Sequence, residues 1–305
     1  MKRLASARTA PYILLLPFLT LFAVFGLFPL VFSLYLAFQS WEPTSGLRAM
    51  HFVGVDNFVF ALGDAWFWKS MGNTVWLAVA SGVPQHVVAI PLACFIHGVA
   101  GRWRDVVLGL WFAPYITSTV ALAIVFTLFY STDYGVINTA IGGLRDWPLV
   151  GRLLPAENID WIGEPPYIKP ALAAMVFWRY VGFNTVLYLA GLQAIPRDLY
   201  EAARIDGAGV LQRFRHVTLP GLKPMMVLGV TLSVIGGLQL FEEPFIFTPD
   251  GRGGSDQAGM TAAVYLYRTA FDFNDFGAAS AMSWLLFVAV AVATWLTQRA
   301  FRRVR

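Results

Sequence analysis

The chain has 305 residues, of which 57% are hydrophobic and only 13% charged, with a formal net charge of +4. Soluble domains carry about 25% charged residues, so this deficit, with a mean hydropathy of +0.61, excludes a soluble globular protein. The positive charge does not argue for nucleic acid, because most Lys and Arg fall in short loops between apolar blocks. The single cysteine, Cys94, lies within an apolar segment; it excludes an internal disulfide, and nothing beside it resembles a metal cluster.

Taken in chain order, Lys2, Arg3 and Arg8 precede an apolar run from about Pro11 to Phe38. A cleavable signal has an apolar core of roughly 7–15 residues, so this longer run reads as a retained span. A membrane-spanning helix needs about 20 mostly apolar residues. Six segments qualify, approximately 12–38, 72–98, 106–130, 170–193, 224–247 and 277–298. The second and third are separated only by Val99 to Asp105 and form a tight helical hairpin. A long segment, about 131–169, carries Pro148, Pro155, Pro165 and Pro166 and joins the third to the fourth. The fifth is the least regular: Gly229, Gly236 and Gly237 interrupt it, and Glu242-Glu243-Pro244 closes its polar side, so its apolar core ends as early as Phe241 on one reading. The expected organisation is an N-terminal span with an outer segment over 1–71, a core of five spans over 72–298 that includes a loop at 194–223, and a basic tail at 299–305.

Orientation follows from Lys and Arg in the loops. With the N-terminus inside, the inner segments hold fourteen and the outer ones seven, which places both termini and the 194–223 loop in the cytoplasm. Trp41, Trp66, Trp68, Trp103, Trp161 and Trp178 cluster at the expected interfaces, where amphipathic rings favour the headgroup level.

The loop between the fourth and fifth spans is the most informative stretch. Pro196 cannot continue the preceding helix without losing a hydrogen bond. Asp198 is placed to cap a short helix through Leu199 to Asp206, and Glu201 near its start suits the helix dipole. Ala202 and Ala203 keep one surface thin, and Gly207 is where the helix can end in a left-handed conformation. Arg213, Arg215 and His216 give a basic return segment, and Leu219-Pro220 with Pro224 are expected to fix a turn into the fifth span.

Glu201-Ala202-Ala203, then Gly207, then Val217-Thr218-Leu219-Pro220 resembles the EAA loop of ABC-importer permeases, the element that docks into a nucleotide-hydrolysing subunit. The resemblance covers nearly the whole chain. It includes Ala10-Pro11-Tyr12, Val53-Gly54-Val55-Asp56-Asn57-Phe58, Asn73-Thr74, Asp133-Tyr134-Gly135-Val136-Ile137-Asn138, Trp178-Arg179, Gly182-Phe183-Asn184, Gly191-Leu192-Gln193 and Tyr267-Arg268-Thr269-Ala270-Phe271. It is strongest to the first of two permeases in carbohydrate-type importers of the maltose and glycerol-3-phosphate kind. One departure is Gly253-Gly254-Ser255-Asp256, where many relatives have Gly-Gly-Pro.

The resemblance implies an all-α membrane protein of six transmembrane helices with the type I ABC importer permease (MetI-like) architecture, in a bacterial or archaeal cytoplasmic membrane. It implies coupling to the ATPase through Glu201, Ala202, Ala203, Asp206, Gly207, Leu219 and Pro220. It also implies a second permease subunit, two copies of an ATP-binding subunit, an extracytoplasmic solute-binding protein, and a sugar, polyol or glycerol phosphate as solute. No cofactor is expected on this chain: it has no G-x-x-x-x-G-K-[ST] phosphate loop, so ATP and Mg belong to a partner.

Arg179 is the only basic residue within an expected span, at a cost of roughly 2.5–3.5 kcal/mol on insertion scales. It therefore faces the interior or reaches an interface. Arg179, Asn184 and Gln239 form the candidate substrate-pathway set, with Trp178, Tyr180, Phe183 and Tyr188 as nearby aromatics; helix pairing is the competing role for all three polar residues. Glu242 and Glu243 read as exposed carboxylates at a helix end, and His86 as a packed, hydrogen-bonded side chain. Two other function classes stay open. A self-sufficient secondary transporter calls for intramembrane acids and an internal repeat, and an intramembrane enzyme for facing acids or H-E-x-x-H; neither pattern is evident in the spans.

Overall fold

The computed structural model describes residues 10–99, 101–147, 151–248 and 251–303. Lys2, Arg3 and Arg8, Pro148 and Arg305 fall outside them. The chain divides into two compact units, Met1–Phe67 with Leu266–Phe287, and Trp68–Tyr265 with Val288–Arg305. Among the described residues the fold is helical apart from one two-residue hairpin.

In the first unit, helices α1 (Ala10–Phe22) and α2 (Phe28–Leu36) are joined by a π turn at Ala23–Leu27, giving one span, Tyr12–Leu36. The π turn ends two residues before Pro29, which has no N–H to donate to a regular helix. This span is strongly apolar and none of its most apolar window is buried; it packs within the chain only near its end, where Leu36 is buried and Phe32 meets Trp41. Strands β1 (Gln39–Ser40) and β2 (His51–Phe52) pair antiparallel, Gln39 opposite Phe52. Asn57, on helix α3 (Asp56–Gly63), donates to Ala37 O at 3.1 Å and Gln39 O at 2.8 Å and so closes the base of the hairpin.

In the second unit the helices are α4 (Ala65–Gly98), α5 (Arg102–Ile116), α6 (Thr119–Phe129), α7 (Val136–Arg145), α8 (Pro165–Gln193), α9 (Arg197–Ile205), α10 (Val210–Arg213), α11 (Leu219–Leu238) and α12 (Glu242–Phe247). Helices α13 (Ala262–Phe271) and α14 (Phe276–Arg303) contribute to both units. Among the described residues five helices are long and apolar enough to cross a membrane, and a sixth span exists if α5 and α6 are counted together.

That sixth span departs from expectation. Residues 106–130 do not form one straight helix: α5 and α6 meet at a 97° bend. Pro114 already removes one hydrogen bond from the last turn of α5. Thr117 and Ser118 then take extended backbone, and the Thr117 hydroxyl donates to Ala113 O at 2.8 Å. Hydropathy is blind to this break because the apolar run continues on both sides of it. The fifth span also differs: its helix ends at Leu238, and Glu242–Phe247 form the separate α12. At the C-terminus α14 runs on through Arg299 and Arg302.

The most buried span is α8. One end of it, through Ile168, Leu172, Met175 and Val176, packs with Leu77, Leu122, Tyr130 and Phe247. The other end, through Val181, Tyr188 and Leu192, packs with Ile90, Ile96, Ile195 and Leu222. In lipid the driving force is close packing, which small residues permit. A side chain at Gly182 would collide with the carbonyl of Trp111 on α5, and Gly191 faces Met225 and Leu222 on α11.

Gly182→Leu is therefore expected to lower stability by about 2–3 kcal/mol, read as an earlier loss of the monodisperse peak when the detergent-solubilised protein is heated. Gly72→Ala, at an open position on α4, is expected to leave that temperature unchanged or to raise it.

Candidate functional site

Two regions bring the sequence-predicted residues into a defined geometry. The first is the loop after α8. Its helix ends at Gln193, and Pro196, extended at φ −58 and ψ 134, starts α9 one residue later. Asp198 does not cap this helix as expected: no side chain bonds at the N-cap, and Asp198 lies inside the first turn, where its charge still suits the dipole. The C-terminus is as expected. Gly207 sits at φ +76, its N–H bonds to Arg204 O at 3.0 Å, and Ala208 N–H bonds to Ala203 O at 2.9 Å. This pair of bonds is the Schellman closure, which a residue with a Cβ resists.

Glu201, Ala202, Asp206 and Gly207 are all exposed and Ala203 is half-buried. Beside them, Ile205 is 87% exposed and Val210 and Leu211 are 77% exposed. The helix thus presents apolar and acidic residues together on a surface that the chain itself leaves uncovered.

Leu219-Pro220 does not form a turn. Gly209 N–H donates to Gln212 Oε1 at 2.8 Å at the start of α10, and the helix then runs without interruption from Val210 to Leu238. Pro220 is absorbed by a π turn at Phe214–Thr218, where Leu219 N–H reaches back five residues to Phe214 O. Pro220 stays exposed and Leu219 is half-buried. The Tyr200 hydroxyl meets Thr218 Oγ1 at 3.0 Å, tying α9 to this π turn.

The second region is a cleft of about 210 Å³. Three helices each supply one face at helical spacing: Ser81, Gly82 and Gln85 from α4; Val176, Tyr180, Phe183 and Asn184 from α8; Leu232, Ser233, Gly236 and Gly237 from α11. Tyr115 on α5 adds a ring stacked on Phe183, with centroids 4.8 Å apart. Asn184 is 1% exposed; its Nδ2 donates to Gln85 Oε1 at 3.1 Å, while its Oδ1 has no hydrogen-bond partner among the described residues.

Of the three pathway candidates, only Asn184 lines this cleft. Gln239 is exposed at the C-terminus of α11. Arg179 points into a buried network instead: its Nη1 lies 3.1 Å from Glu243 Oε1 and donates to Thr119 Oγ1. Thr119 Oγ1 in turn donates to Glu242 Oε2 at 2.7 Å, and the Tyr180 hydroxyl donates to Glu243 Oε1 at 3.2 Å. Glu243 is therefore not an exposed helix-end carboxylate; it is buried because α12 turns back toward α6 and α8 and Arg179 offsets its charge. His86 is held as expected, its Nδ1 2.7 Å from the Tyr188 hydroxyl. Sequence reasoning missed Ser81, Gln85, Tyr115 and Ser233. The available signal was the spacing of small and polar residues on α4 and α11.

Residues 89–305 match the family model described as "Binding-protein-dependent transport system inner membrane component". The chain is 30% identical over 292 residues to the arabinooligosaccharides transport system permease protein of Bacillus subtilis, covering 96% of this chain and 88% of the relative. It is 33% identical over 287 residues to the lactose transport system permease protein of Rhizobium radiobacter, covering 94% and 92%. Its fold matches a chain of a bacterial ABC transporter that imports the acidic polysaccharide alginate, with a TM-score of 0.81, 24% identity and coverage of 98% and 97%. Five membrane-length helices and one bent pair among the described residues, a loop helix set between α8 and α11, and these end-to-end likenesses agree: the chain belongs to the family of inner-membrane components of binding-protein-dependent transport systems.

Proposed function

We propose that this chain forms half of an alternating-access pathway for a saccharide in an ATP-driven importer, and that α9 couples it to the ATPase. As a member of its family it is a translocation subunit, not an enzyme, which sets aside the secondary-transporter and intramembrane-enzyme readings. The other half of the pathway comes from a second permease. Two copies of an ATP-binding subunit lie on the cytoplasmic side, which also holds both termini and the α9 loop. An extracytoplasmic solute-binding protein delivers the solute.

The observation that carries the coupling role is the geometry of α9. It is a short helix with exposed Glu201, Ala202, Asp206 and Ile205, closed by a left-handed Gly207 and bonded to the next span through Tyr200 and Thr218. An amphipathic helix that its own chain leaves uncovered is suited to docking in a groove of a partner, and thin Ala202 and Ala203 permit close approach. ATP closes the hydrolytic pair, α9 moves with it, and the spans reorient. Taking such a two-state equilibrium from 1:99 to 99:1 requires about 5.5 kcal/mol of differential binding, well within what ATP supplies to two subunits.

The solute path is the cleft around Asn184. Its hydroxyl and amide groups suit a polyhydroxyl ring, and Tyr115, Tyr180 and Phe183 offer apolar faces. Relatives named for arabinooligosaccharides, lactose and trehalose/maltose support a saccharide.

In proteoliposomes containing the complete importer, Glu201→Lys and Gly207→Asp are expected to leave the chain inserted and assembled with its partner permease. Both are expected to cut ATP hydrolysis stimulated by the loaded binding protein at least tenfold. Normal stimulation in both variants would rule out α9 as the coupling element. Gly207→Val is expected to cost about 1–2 kcal/mol at the left-handed position, seen as faster amide exchange across Arg197–Ile205 than in the native chain.

A further inference from the structure

Among the described residues, the wall of the cleft contains no carboxylate, ammonium or guanidinium group. Its polar members are Ser81, Gln85, Asn184, Ser233 and the phenols of Tyr115 and Tyr180. One cation lies close by in sequence, because Arg179 precedes the cleft residue Tyr180. Its guanidinium does not line the wall: it lies 5.4 Å from the centroid of the Tyr180 ring and is engaged by Glu243 Oε1 at 3.1 Å and the Thr119 hydroxyl. The two charged side chains are only 13% and 5% exposed. Tyr180 links the two regions: its ring borders the cleft while its hydroxyl donates to the same Oε1 of Glu243 at 3.2 Å.

The electrostatic consequence is direct. A carboxylate or phosphate entering a dehydrated passage must find a cation or lose several kcal/mol of hydration. Here the nearest cation is already neutralised. The buried Oδ1 of Asn184, without a hydrogen-bond partner among the described residues, adds a second bias: the negative end of an amide dipole behind the wall disfavours an anionic oxygen in the cleft. The stacked rings of Tyr115 and Phe183 suit the apolar face of an uncharged sugar.

We infer that the wall supplied by this chain selects uncharged polyhydroxyl solutes, and that Glu243 is a specificity-determining positioning residue that keeps Arg179 from acting as an anion receptor. This rests on the cleft being the solute path. Removing Glu243 alone breaks the ion pair and leaves the guanidinium only the exposed Glu242, on the far side of the Thr119 hydroxyl, as a counter-charge, an arrangement that favours capture of an anion from outside. Removing both charges together leaves no cation in the network, only Glu242 on Thr119.

The test uses the complete importer in nanodiscs and saturation-transfer NMR with two probes, a neutral mixture of lactose, maltose and trehalose, and the anionic disaccharide digalacturonate. In the native complex the neutral sugars are expected to give a signal at least tenfold above that of digalacturonate, and Asn184→Leu is expected to abolish it. Glu243→Gln is expected to raise the digalacturonate signal at least fivefold, and the double variant R179Q/E243Q to return it to the native level. Native binding of digalacturonate as strong as that of the neutral sugars would overturn the selectivity. A folded Glu243→Gln importer with no gain for the anion would overturn the role of Glu243. If Glu243→Gln does not assemble, R179Q/E243Q decides: a double variant that still excludes the anion supports the inference, and one that admits it overturns it. Absence of any neutral-sugar signal from the native complex would instead remove the cleft as a saccharide path, a distinct failure.

Discussion

The contact between the backbone of α8 at Gly182 and the carbonyl of Trp111 on α5 is the constraint on which the second unit depends. In a bilayer, apolar surface gains nothing by meeting other apolar surface, so helices associate through close fit. Gly182 provides that fit at mid-helix, Gly191 repeats it against α11 near one end, and Gly229 repeats it from the α11 side against Leu187 and Tyr188. With α8 fixed between two neighbours, its residues at 176, 180, 183 and 184 must share one face, and that face is a wall of the cleft.

The break between α5 and α6 is the second organising feature. A straight helix would carry Thr119 onward along the α5 axis. The bend instead places Thr119 where Arg179 and Glu242 both reach it, and α12 folds back so that Glu243 completes the ion pair. Polar residues at membrane depth are expensive alone, and here five side chains bond one another, with the buried Nε of Arg179 left without a hydrogen-bond partner among the described residues. The bend and the network support one another: the hydroxyl at the N-terminus of α6 bonds inside the network, and the network holds that terminus in place.

Much of this was legible in the sequence because it depends on local chemistry. Pro196 and Gly207 fix the start and finish of α9 through backbone geometry that few residues alter. Run lengths located the spans for a similar reason, since bilayer thickness imposes a minimum. What escaped has a non-local cause. Arg179 looked like a solute contact because its partner Glu243 lies 64 residues away on an element that hydropathy merged into the fifth span. Gln85 and Ser233 entered the cleft only through the packing of α4 and α11, which no single window contains. Asn138 is similar: it pins the long segment before α8 by bonding Ile159 and Trp161, more than twenty residues on.

The uninterrupted helix from Val210 to Leu238 makes that segment a lever. Its 29 residues span about 44 Å at 1.5 Å per residue, and no loop intervenes between the exposed Val210 and the cleft residue Ser233. A tilt of about 5° about one end would carry the other through roughly 4 Å, comparable to the width of a sugar ring. The π turn at Phe214–Thr218 is an irregular joint along this lever, with Pro224 removing a further backbone hydrogen bond beyond it, and Tyr200 grips the π turn at Thr218. On the coupling proposed above, displacement of α9 would enter the shaft at this joint, so the stiffness of five residues would set how much of it arrives as motion at Ser233.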